Sequence, residues 1–276
     1  MIVRATRLLR KMRGGAQAHL LQADDGHFYV VKFTNNPQHR RILVNEWLAS
    51  RFLAFLQINA PPPAIVELSP EFLAQARGLH LQLGSSLIPV PPGRHFGSRF
   101  PGDPAQLTVY DFLPDILLNK VGNRRDFLGT LVFDKWMGNS DARQSVFFRA
   151  NVRPPGEGSE EPVRPSWVGT MIDHGYVFDG PNWSFVDAPL AGLYHRPVVY
   201  ESVRSLDDFQ PWLDRVLHFP EHIVDDALRS MPADWVQPDQ EASEALLEKL
   251  LRRRDRIESL LHGLRSARAK LFPNWK

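Results

Sequence analysis

One stretch of the chain, residues 126–148, constrains the fold more than any other. It opens with apolar residues at helical spacing, and this run ends at Asp134. Asn139 follows five residues after Asp134, Asp141 comes next, and residues 145–148 are an apolar run typical of a short strand. The apolar residues of the helical run are Phe127, Leu128, Leu131 and Val132. The pattern predicts a polar loop between a buried helix and a buried strand.

A second polar turn begins at Asp173 and has the pattern Asp-x-Gly. We predict strands over residues 146–149 and 168–172, joined by a mobile loop over the polar, Pro- and Gly-rich residues 149–166. Pairing of the two strands would bring Asn139 beside Asp173.

An Asp, an Asn five residues later and a distant Asp-x-Gly form the arrangement of a kinase-like phosphoryl-transfer site. In such a site one Asp orients the acceptor hydroxyl, while the Asn and the second Asp hold Mg²⁺ on the phosphates. This hypothesis gives Asp134 the first role and gives Asn139 and Asp173 the second. Asp141 is either a further metal ligand or a brace of the loop. The structural interpretation of all these residues is that they cap helices and form turns.

Composition and length narrow the class of protein. A chain of 276 residues with 43% hydrophobic residues is long and apolar enough for a globular domain with a large core. The net charge of +2 does not favour nucleic-acid binding. The absence of cysteine excludes disulfides, thiolate metal sites and a cysteine nucleophile. The charged N-terminus and the lack of a long apolar run lead us to expect a cytoplasmic protein without a membrane segment.

The N-terminal residues predict strands around a glycine turn. Gly14 and Gly15 begin the sequence Gly-Gly-Ala-Gln, which includes Ala16 and Gln17. These glycines would let backbone amides approach a phosphate, although an ordinary hairpin turn is the commoner use of such a pair. An Asp-Asp-Gly sequence at residues 24–26 predicts a hairpin into the next strand.

Lys32 and Glu46 are the charged residues of interest in this part of the chain. Lys32 lies within the apolar strand of residues 28–33, where it must point outward or meet an anion. Residues 38–58 predict a helix in which Glu46 shares a face with apolar side chains. A strand Lys and an inward helix Glu together are the pair that positions ATP phosphates in kinases.

The remaining segments are less specific. Residues 93–99 predict a polar, Gly-flanked loop that contacts a phosphate or a substrate, or is a plain surface connection. Residues 106–114 predict a short strand that runs into a proline turn. Residues 205–270 predict helices, and the arginines at 252–256 are more typical of a solvated face than of a nucleic-acid site.

With these residues assembled, the chain resembles the HipA-like kinases over roughly residues 10–180. The matching residues are Gly14 to Gln17, Lys32 between Val31 and Phe33, Asn45 and Glu46, Asp134 with Asn139, and Asp173 to Gly175. The resemblance implies an α+β, two-lobed protein-kinase-like fold in a single domain, residues 1–276. A small β-rich N-lobe would cover about residues 1–110, and a larger, mostly helical C-lobe about residues 111–276. The family's extra N-terminal subdomain has no room before the glycine turn, so we expect the kinase core alone.

The resemblance also implies ATP and Mg²⁺ as ligands. It makes Asp134, Asn139 and Asp173 the catalytic residues, with Asn139 and Asp173 on the metal. The backbone of residues 110–112 would form the hinge that faces the adenine. The implied nucleotide-binding residues are Gly14, Gly15, Ala16, Gln17, Lys32, Glu46, Tyr110, Asp111 and Phe112.

The acceptor implied by the resemblance is a Ser or Thr of a protein, and an antitoxin-like partner is a further expectation. A small-molecule or lipid acceptor stays open. Trp136 stands two residues after Asp134, where the family commonly has His, and this favours the alternative of a nucleotide-binding pseudokinase. A metal-dependent hydrolase that uses Asp134, Asp141, Asp173 and His174 is a third hypothesis. The sequence has no repeated His or His/Asp motif at the spacing of metal ligands, which counts against it.

Overall fold

The structure is a computed structural model that describes residues 1–152 and 163–275. Near the N-terminus five strands close into a barrel, namely β1 (Ile2–Lys11), β2 (His19–Ala23), β3 (Phe28–Lys32), β4 (Pro63–Leu68) and β7 (Gly93–Arg99). Their order around the barrel is β1-β2-β3-β7-β4. All neighbouring pairs are antiparallel except β1 and β4, which run parallel. Helix α2 (Pro70–Gln75) and a hairpin of β5 (His80–Leu83) and β6 (Ser86–Pro89) lie between β4 and β7.

The barrel has its own apolar interior, because alternate side chains of its strands point inward. The interior residues include Val3, Ala5, Leu21, Tyr29, Val31 and Val66. Gly97 lies where β7 crosses this interior, and a Cβ there would be 2.5 Å from Cγ2 of Val66. Glycine is therefore required for this close approach.

Helix α1 (Arg41–Leu56) connects the barrel to the rest of the molecule. Every residue from 42 to 50 is buried, so this part of the helix is enclosed on all sides. Its Trp47 donates a hydrogen bond from Nε1 to the carbonyl of Ala227 at 2.9 Å and packs edge-on against Trp235. The helix ends at Gln57, which adopts the left-handed conformation with φ 59°. The helix is thus fixed to C-terminal elements as well as to the barrel.

The C-terminal half is mostly helical. Its helices are α3 (Asp115–Leu118), α4 (Asp126–Met137), α5 (Trp212–Leu217), α6 (Glu221–Arg229), α7 (Ala233–Val236), α8 (Gln240–Arg253) and α9 (Ile257–Ala267). Strands β8 (Gln144–Val152) and β9 (Arg164–Ile172) form an antiparallel hairpin that follows α4. Helix α4 lies in the main core, where Trp136 is buried and donates a hydrogen bond to the carbonyl of Leu250 at 3.0 Å.

The predicted elements are present in large part. The fold is mixed α+β, and the predicted N-terminal strands, the helix of residues 38–58, the central helix, the hairpin after it and the C-terminal helices are all found. The predicted mobile loop of residues 149–166 falls largely on residues 153–162, which lie outside the described residues. None of the helices in the described ranges has the length and apolar character that a membrane crossing needs.

Two predicted elements are wrong. Residues 93–99 form β7 in the barrel wall, because the small residues that suggested a loop allow close packing between β3 and β4. Residues 106–114 do not form a strand; Tyr110 alone makes an isolated antiparallel bridge to Phe147.

Candidate active site

Three charged side chains, Lys32, Glu46 and Asp173, meet where the barrel faces the C-terminal half. Lys32 is the last residue of β3, and its Nζ pairs with Oε1 of Glu46 and, at 2.7 Å, with Oδ1 of Asp173. The side chains of Lys32 and Glu46 are 10% and 3% exposed, whereas that of Asp173 is 39% exposed. The predicted approach of Lys32 and Glu46 is confirmed, and Asp173 joins them.

The cluster fixes the ionisation of its members. Burial by itself would lower the pKa of Lys32, but the carboxylates of Glu46 and Asp173 outweigh it and raise that pKa. Lys32 in turn holds the pKa of Asp173 below its ordinary value. Burial raises the pKa of Glu46, and the adjacent Lys32 opposes this. A charged Lys32 beside a half-exposed, ionised Asp173 can offer a cation to phosphate oxygens and a carboxylate to a metal.

Asn45, the neighbour of Glu46, ties helix α1 to the Asp-x-Gly turn. Its Nδ2 donates to the carbonyls of Gly175, Val177 and Gly180 at 2.7, 3.1 and 3.0 Å. Its Oδ1 accepts a hydrogen bond from Nε1 of Trp183 at 2.8 Å. Asn45 is fully buried, so these carbonyls depend on it.

Asp173 itself has a special backbone. It follows β9 with φ 58°, a left-handed conformation that is uncommon outside glycine and is met at functional turns. Strand pairing places Gln144 opposite Ile172, and Nε2 of Gln144 donates to Oδ2 of Asp173 at 3.1 Å. The hairpin therefore brings Gln144, rather than Asn139, against Asp173.

Asp134 does not face this cluster, which corrects its predicted catalytic placement. Helix α4 continues past it to Met137 and ends at Gly138, which has φ 60°. Arg143 forms a bidentate ion pair with the carboxylate of Asp134, in which Nε donates to Oδ2 at 2.8 Å and Nη2 donates to Oδ1. The side chains of Arg143 and Asp134 are 1% and 0% exposed. A carboxylate that is enclosed and paired in this way has no oxygen to offer to an acceptor hydroxyl.

Asn139 is used in the same local network. Its Nδ2 donates to Oδ1 of Asp134 at 3.0 Å, and its Oδ1 accepts from the backbone N–H of Asp141 at 3.1 Å. Both ends of the amide are thus engaged in shaping the loop, and the side chain is buried. The amide of Asn139 therefore shapes the loop, and the placement of Asn139 on a metal stays a prediction.

Asp141 is the exposed acidic residue of the same loop. Its backbone is held by Asn139 on one side and, on the other, by the N–H of Gly192, which donates to its carbonyl at 3.0 Å. Arg143, two residues later, donates to the carbonyl of Ile172 and to Nδ1 of His174, both at 2.9 Å. The loop that carries Asp141 is therefore tied directly to the turn that carries Asp173.

The glycine turn lies at the end of the barrel that carries Lys32. Lys11 pairs with His19, and His19 pairs with Val31, so the turn between β1 and β2 is beside the end of β3. Gly14 has φ 117°, a conformation open to glycine. The side chain of Gln17 is occupied, since it donates to the carbonyl of Gln82 at 2.6 Å and accepts from Lys11 at 2.7 Å. Gly15 and Ala16 lie at the tip of this turn.

The predicted hinge is only partly available to a nucleotide. The N–H and the carbonyl of Tyr110 are both hydrogen-bonded to Phe147 at 2.8 Å, so the backbone of Tyr110 cannot face an adenine. That part of the prediction is wrong, because the backbone of Tyr110 pairs with Phe147, which lies far along the chain. Asp111 and Phe112 are exposed, and the guanidinium of Arg196 lies 4.5 Å from the ring centroid of Phe112.

Trp136 and His174 are the residues on which the sequence based the alternatives of a pseudokinase and a metal-dependent hydrolase. Trp136 is a core residue that packs against Phe52 and Phe219, so it is not part of the loop that carries Asp141. Burial and the neighbouring Arg143 lower the pKa of His174 well below its usual range. No group of three His, Cys, Asp or Glu side chains in residues 1–152 and 163–275 is placed to hold a metal.

Sequence reasoning missed the roles of Asn45, Arg143 and Gln144. The available signal for Gln144 was its place at the start of β8, opposite the residue before Asp173. For Asn45 and Arg143 the signal was weak, because their partners are mostly backbone carbonyls and turns distant in sequence.

Comparisons with known proteins bear on the family and the fold of the chain. The model of a family described as HipA-like kinase matches residues 5–152, more than half of the chain. No curated protein sequence matches significantly. A crystal structure of the Golgi casein kinase is 11% identical with a TM-score of 0.50 and covers 97% of this chain and 74% of that one.

A second structure, of the Golgi casein kinase with Mn/ADP bound, is 12% identical with a TM-score of 0.47 and covers 96% of this chain and 73% of that one. At 11% identity the first of these structures speaks for the fold alone. The family match rests on sequence and spans both the barrel and the loop of Asp141. The chain belongs to the HipA-like kinase family.

Proposed function

We propose that the protein is an ATP- and Mg²⁺-dependent kinase that transfers a phosphoryl group to a Ser or Thr hydroxyl of a protein. The observation that carries the proposal is the cluster of Lys32, Glu46 and Asp173 in a chain of the HipA-like kinase family. The barrel side, about residues 1–110, would act as the small lobe, and about residues 111–276 as the large lobe of one domain.

Lys32 and the glycine turn are the proposed phosphate contacts. Glu46 holds the ammonium of Lys32 in place, and the ammonium is charged at neutral pH. The N–H groups of Gly15 and Ala16, at the end of the barrel next to Lys32, would add backbone donors. The exposed segment of Asp111 and Phe112 is the proposed contact for the base. ATP must compete with Asp173 for Lys32, because the two are paired without it.

Asp173 and Gln144 are the proposed metal ligands. Mg²⁺ prefers oxygen ligands, and here they would be the carboxylate of Asp173 and the amide oxygen of Gln144. The hydrogen bond from Nε2 of Gln144 to Oδ2 of Asp173 brings the two side chains together. A Mg²⁺ ion needs only one or two protein ligands when phosphate oxygens complete its shell. When bound, the metal would neutralise the charge that develops on the phosphates.

Asp141 is the proposed partner of the acceptor hydroxyl, in place of Asp134. It is exposed, its backbone is fixed on both sides, and it follows Asn139, whose amide shapes the turn. From this position its carboxylate would accept a hydrogen bond from the hydroxyl and orient it for in-line attack.

One observation favours a pseudokinase as the second candidate. Counted from Asp141, the residue two positions later is Arg143, where the family commonly has His. A guanidinium that is buried and paired with Asp134 cannot accept a proton, so transfer would rest on Asp141 alone. An antitoxin-like partner and a cytoplasmic location stay predictions from the resemblance and from the sequence.

The test uses Asp173→Asn, which keeps the size of the side chain and removes its charge. We expect the wild type to melt at a higher temperature with ATP and Mg²⁺ than with ATP alone, and to transfer phosphate to proteins of a cell extract. Asp173→Asn should lose the metal-dependent part of both effects. Asp225→Asn, an exposed change on α6, is the control and should behave as the wild type.

Each outcome has a clear meaning. Metal-dependent ATP binding without transfer to any acceptor would favour the pseudokinase. No ATP binding by the wild type, or full transfer by Asp173→Asn, would refute the proposed site.

A further inference from the structure

The segment after the Asp-x-Gly turn, residues 184–193, packs against the loop of Asp141. The N–H of Gly192 donates to the carbonyl of Asp141 at 3.0 Å, and the N–H of Arg143 donates to the carbonyl of Leu193 at 2.9 Å. A Cβ on Gly192 would lie 2.9 Å from Cβ of Asp134, so the segment touches the end of α4 without a gap. The segment is therefore one of the two supports of the Asp141 backbone, the other being the side chain of Asn139.

Lys135, on α4, holds the same segment through hydrogen bonds to its carbonyls. Its Nζ donates to the carbonyls of Pro189 and Ala191, both at 2.6 Å, and to that of Ala188 at 3.4 Å. The residue is 5% exposed. An ammonium has three N–H donors and no acceptor, so it fits a site made of carbonyl oxygens alone. A shorter or neutral apolar side chain would leave these carbonyls unsatisfied.

Charged neighbours on each adjoining element are already paired elsewhere. Asp134, next to Lys135 on α4, is committed to Arg143. Asp187, from the segment, is held by Arg253 at 2.7 Å and by Arg256 at 2.5 Å. Lys135 thus serves the segment's carbonyls and not a carboxylate.

Apolar packing contributes little at residues 186–190, whereas Phe185 and Leu193 near the two ends of the segment pack against the core. A cavity of about 210 Å³ lies between the segment and α9, and its wall includes Lys135, Gly138, Asp187 and Arg253. Residues 186–190 are exposed. With a cavity on one side and solvent on the other, polar contacts hold residues 188–191. These contacts are the hydrogen bonds of Lys135 and the ion pairs of the preceding Asp187 with Arg253 and Arg256.

We propose that Lys135 is a positioning residue, which fixes residues 188–193 and through them the backbone of Asp141 for phosphoryl transfer. The proposal rests on the proposed function, since it assigns the effect to the transfer step. Lys135 lies outside the nucleotide contacts, so nucleotide binding should be spared when it is changed.

The ionisation of Lys135 offers an independent check. Burial lowers its pKa to about 8; Asp134 opposes this and Arg253 adds to it. Above that pH the amine is neutral and can donate only two hydrogen bonds. The unfolded chain keeps a pKa of 10.5, so between these values the folded state binds fewer protons, and the contribution of this group to stability rises, rather than falls, as the pH increases. Above pH 8 we therefore expect phosphate transfer by the wild type to decline, while the ionisation of Lys135 does not lower the melting temperature.

The experiment compares Lys135→Met, Lys135→Arg and the exposed control Lys249→Met. We expect Lys135→Met to lower kcat by about ten- to hundred-fold, with the KM for ATP within about twofold, because a small displacement of a reacting group has that effect. Hydrogen exchange should speed up at the amides of Gly192 and Arg143. Lys135→Arg, which keeps the charge, should restore most of kcat and remove the decline above pH 8. Lys249→Met should match the wild type throughout.

Wild-type kcat in Lys135→Met with unchanged exchange would overturn the proposal. A parallel loss of kcat, ATP affinity and melting temperature would also overturn it, since that is the result of a general structural role. If kcat of Lys135→Arg also declines above pH 8, the ionisation belongs to another group, and this result would count against the proposal. If the wild type transfers no phosphate, the proposed function fails, and the exchange measurement alone then decides whether Lys135 fixes residues 188–193.

Discussion

Asp134 and Asp141 lie seven residues apart on one loop and one helix end, and changing each to Asn should separate a structural from a catalytic carboxylate. Asp134 is fully buried against Arg143, and Asp141 is exposed. Removing one charge of a buried pair costs about 3–5 kcal/mol, because the other charge stays buried without a partner. Asn keeps one acceptor for Arg143, so we expect the lower end for Asp134→Asn, about 3 kcal/mol.

The expected changes follow from these values. For a chain somewhat larger than those of 150–250 residues, where 1 kcal/mol shifts the melting temperature by about 2–4 °C, Asp134→Asn should melt roughly 6–12 °C lower. Asp141→Asn should stay within about 0.5 kcal/mol of the wild type, as exposed substitutions do. Its phosphate transfer should fall by about a hundred-fold or more, with ATP affinity retained.

The assays are thermal melting, together with ATP binding and phosphate transfer measured well below the melting temperature of the weaker variant. Asp225→Asn again serves as the exposed control. The reasoning is refuted if Asp134→Asn keeps the wild-type melting temperature and loses transfer while Asp141→Asn stays active. That result would restore the original assignment of Asp134 from the sequence.

Two further predictions concern buried polar side chains. Asn45→Asp should lower stability by about 3 kcal/mol or more and abolish metal-dependent ATP binding, because a carboxylate would face the carbonyls of Gly175, Val177 and Gly180. Urea unfolding measures the stability, and the thermal shift with ATP measures the binding. An unchanged thermal shift would count against this prediction. His95 accepts from the N–H of Thr34 through Nδ1, and burial lowers its pKa to about 4, so the unfolded chain binds the extra proton first as pH falls below 6.5. Stability should therefore drop by on the order of 3 kcal/mol between pH 7 and pH 4 from this residue, and a profile as steep in His95→Gln would contradict the assignment.

The elements that the sequence predicted well are those with a local signal. Alternation in β1 and β3, the Asp-Asp-Gly turn and the helical spacing of α1 depend on neighbours in the chain. Lys32 and Glu46 could be paired in advance because each is a charged residue on an otherwise buried element. A buried Lys demands an anion, and an inward Glu on the next helix is the nearest one.

The errors in the candidate site come from contacts that are distant in sequence or lack a periodic signal. Helix α4 is buried on all sides, so no apolar face indicates which way Asp134 points. The end of α4 depends on Gly138, and a helix end is uncertain by a turn when only composition is available. Tyr110 was assigned to a hinge because its pairing with Phe147 cannot be read from either segment alone.

The anchoring of α1 restricts how this site can be regulated. To draw Glu46 away from Lys32, the helix would have to break the buried hydrogen bonds of Asn45 and Trp47, each worth about 1 kcal/mol net, and to expose apolar side chains packed against α6. Arg41 adds an ion pair with Asp239 at 2.6 Å, which joins the start of the helix to the C-terminal half. The pairing of Lys32 with Glu46 is therefore built into the fold. Residues 186–190 are by contrast exposed, and they are held by the hydrogen bonds of Lys135 and the ion pairs of Asp187. We therefore expect a change in activity at constant Lys32–Glu46 geometry to act through that segment.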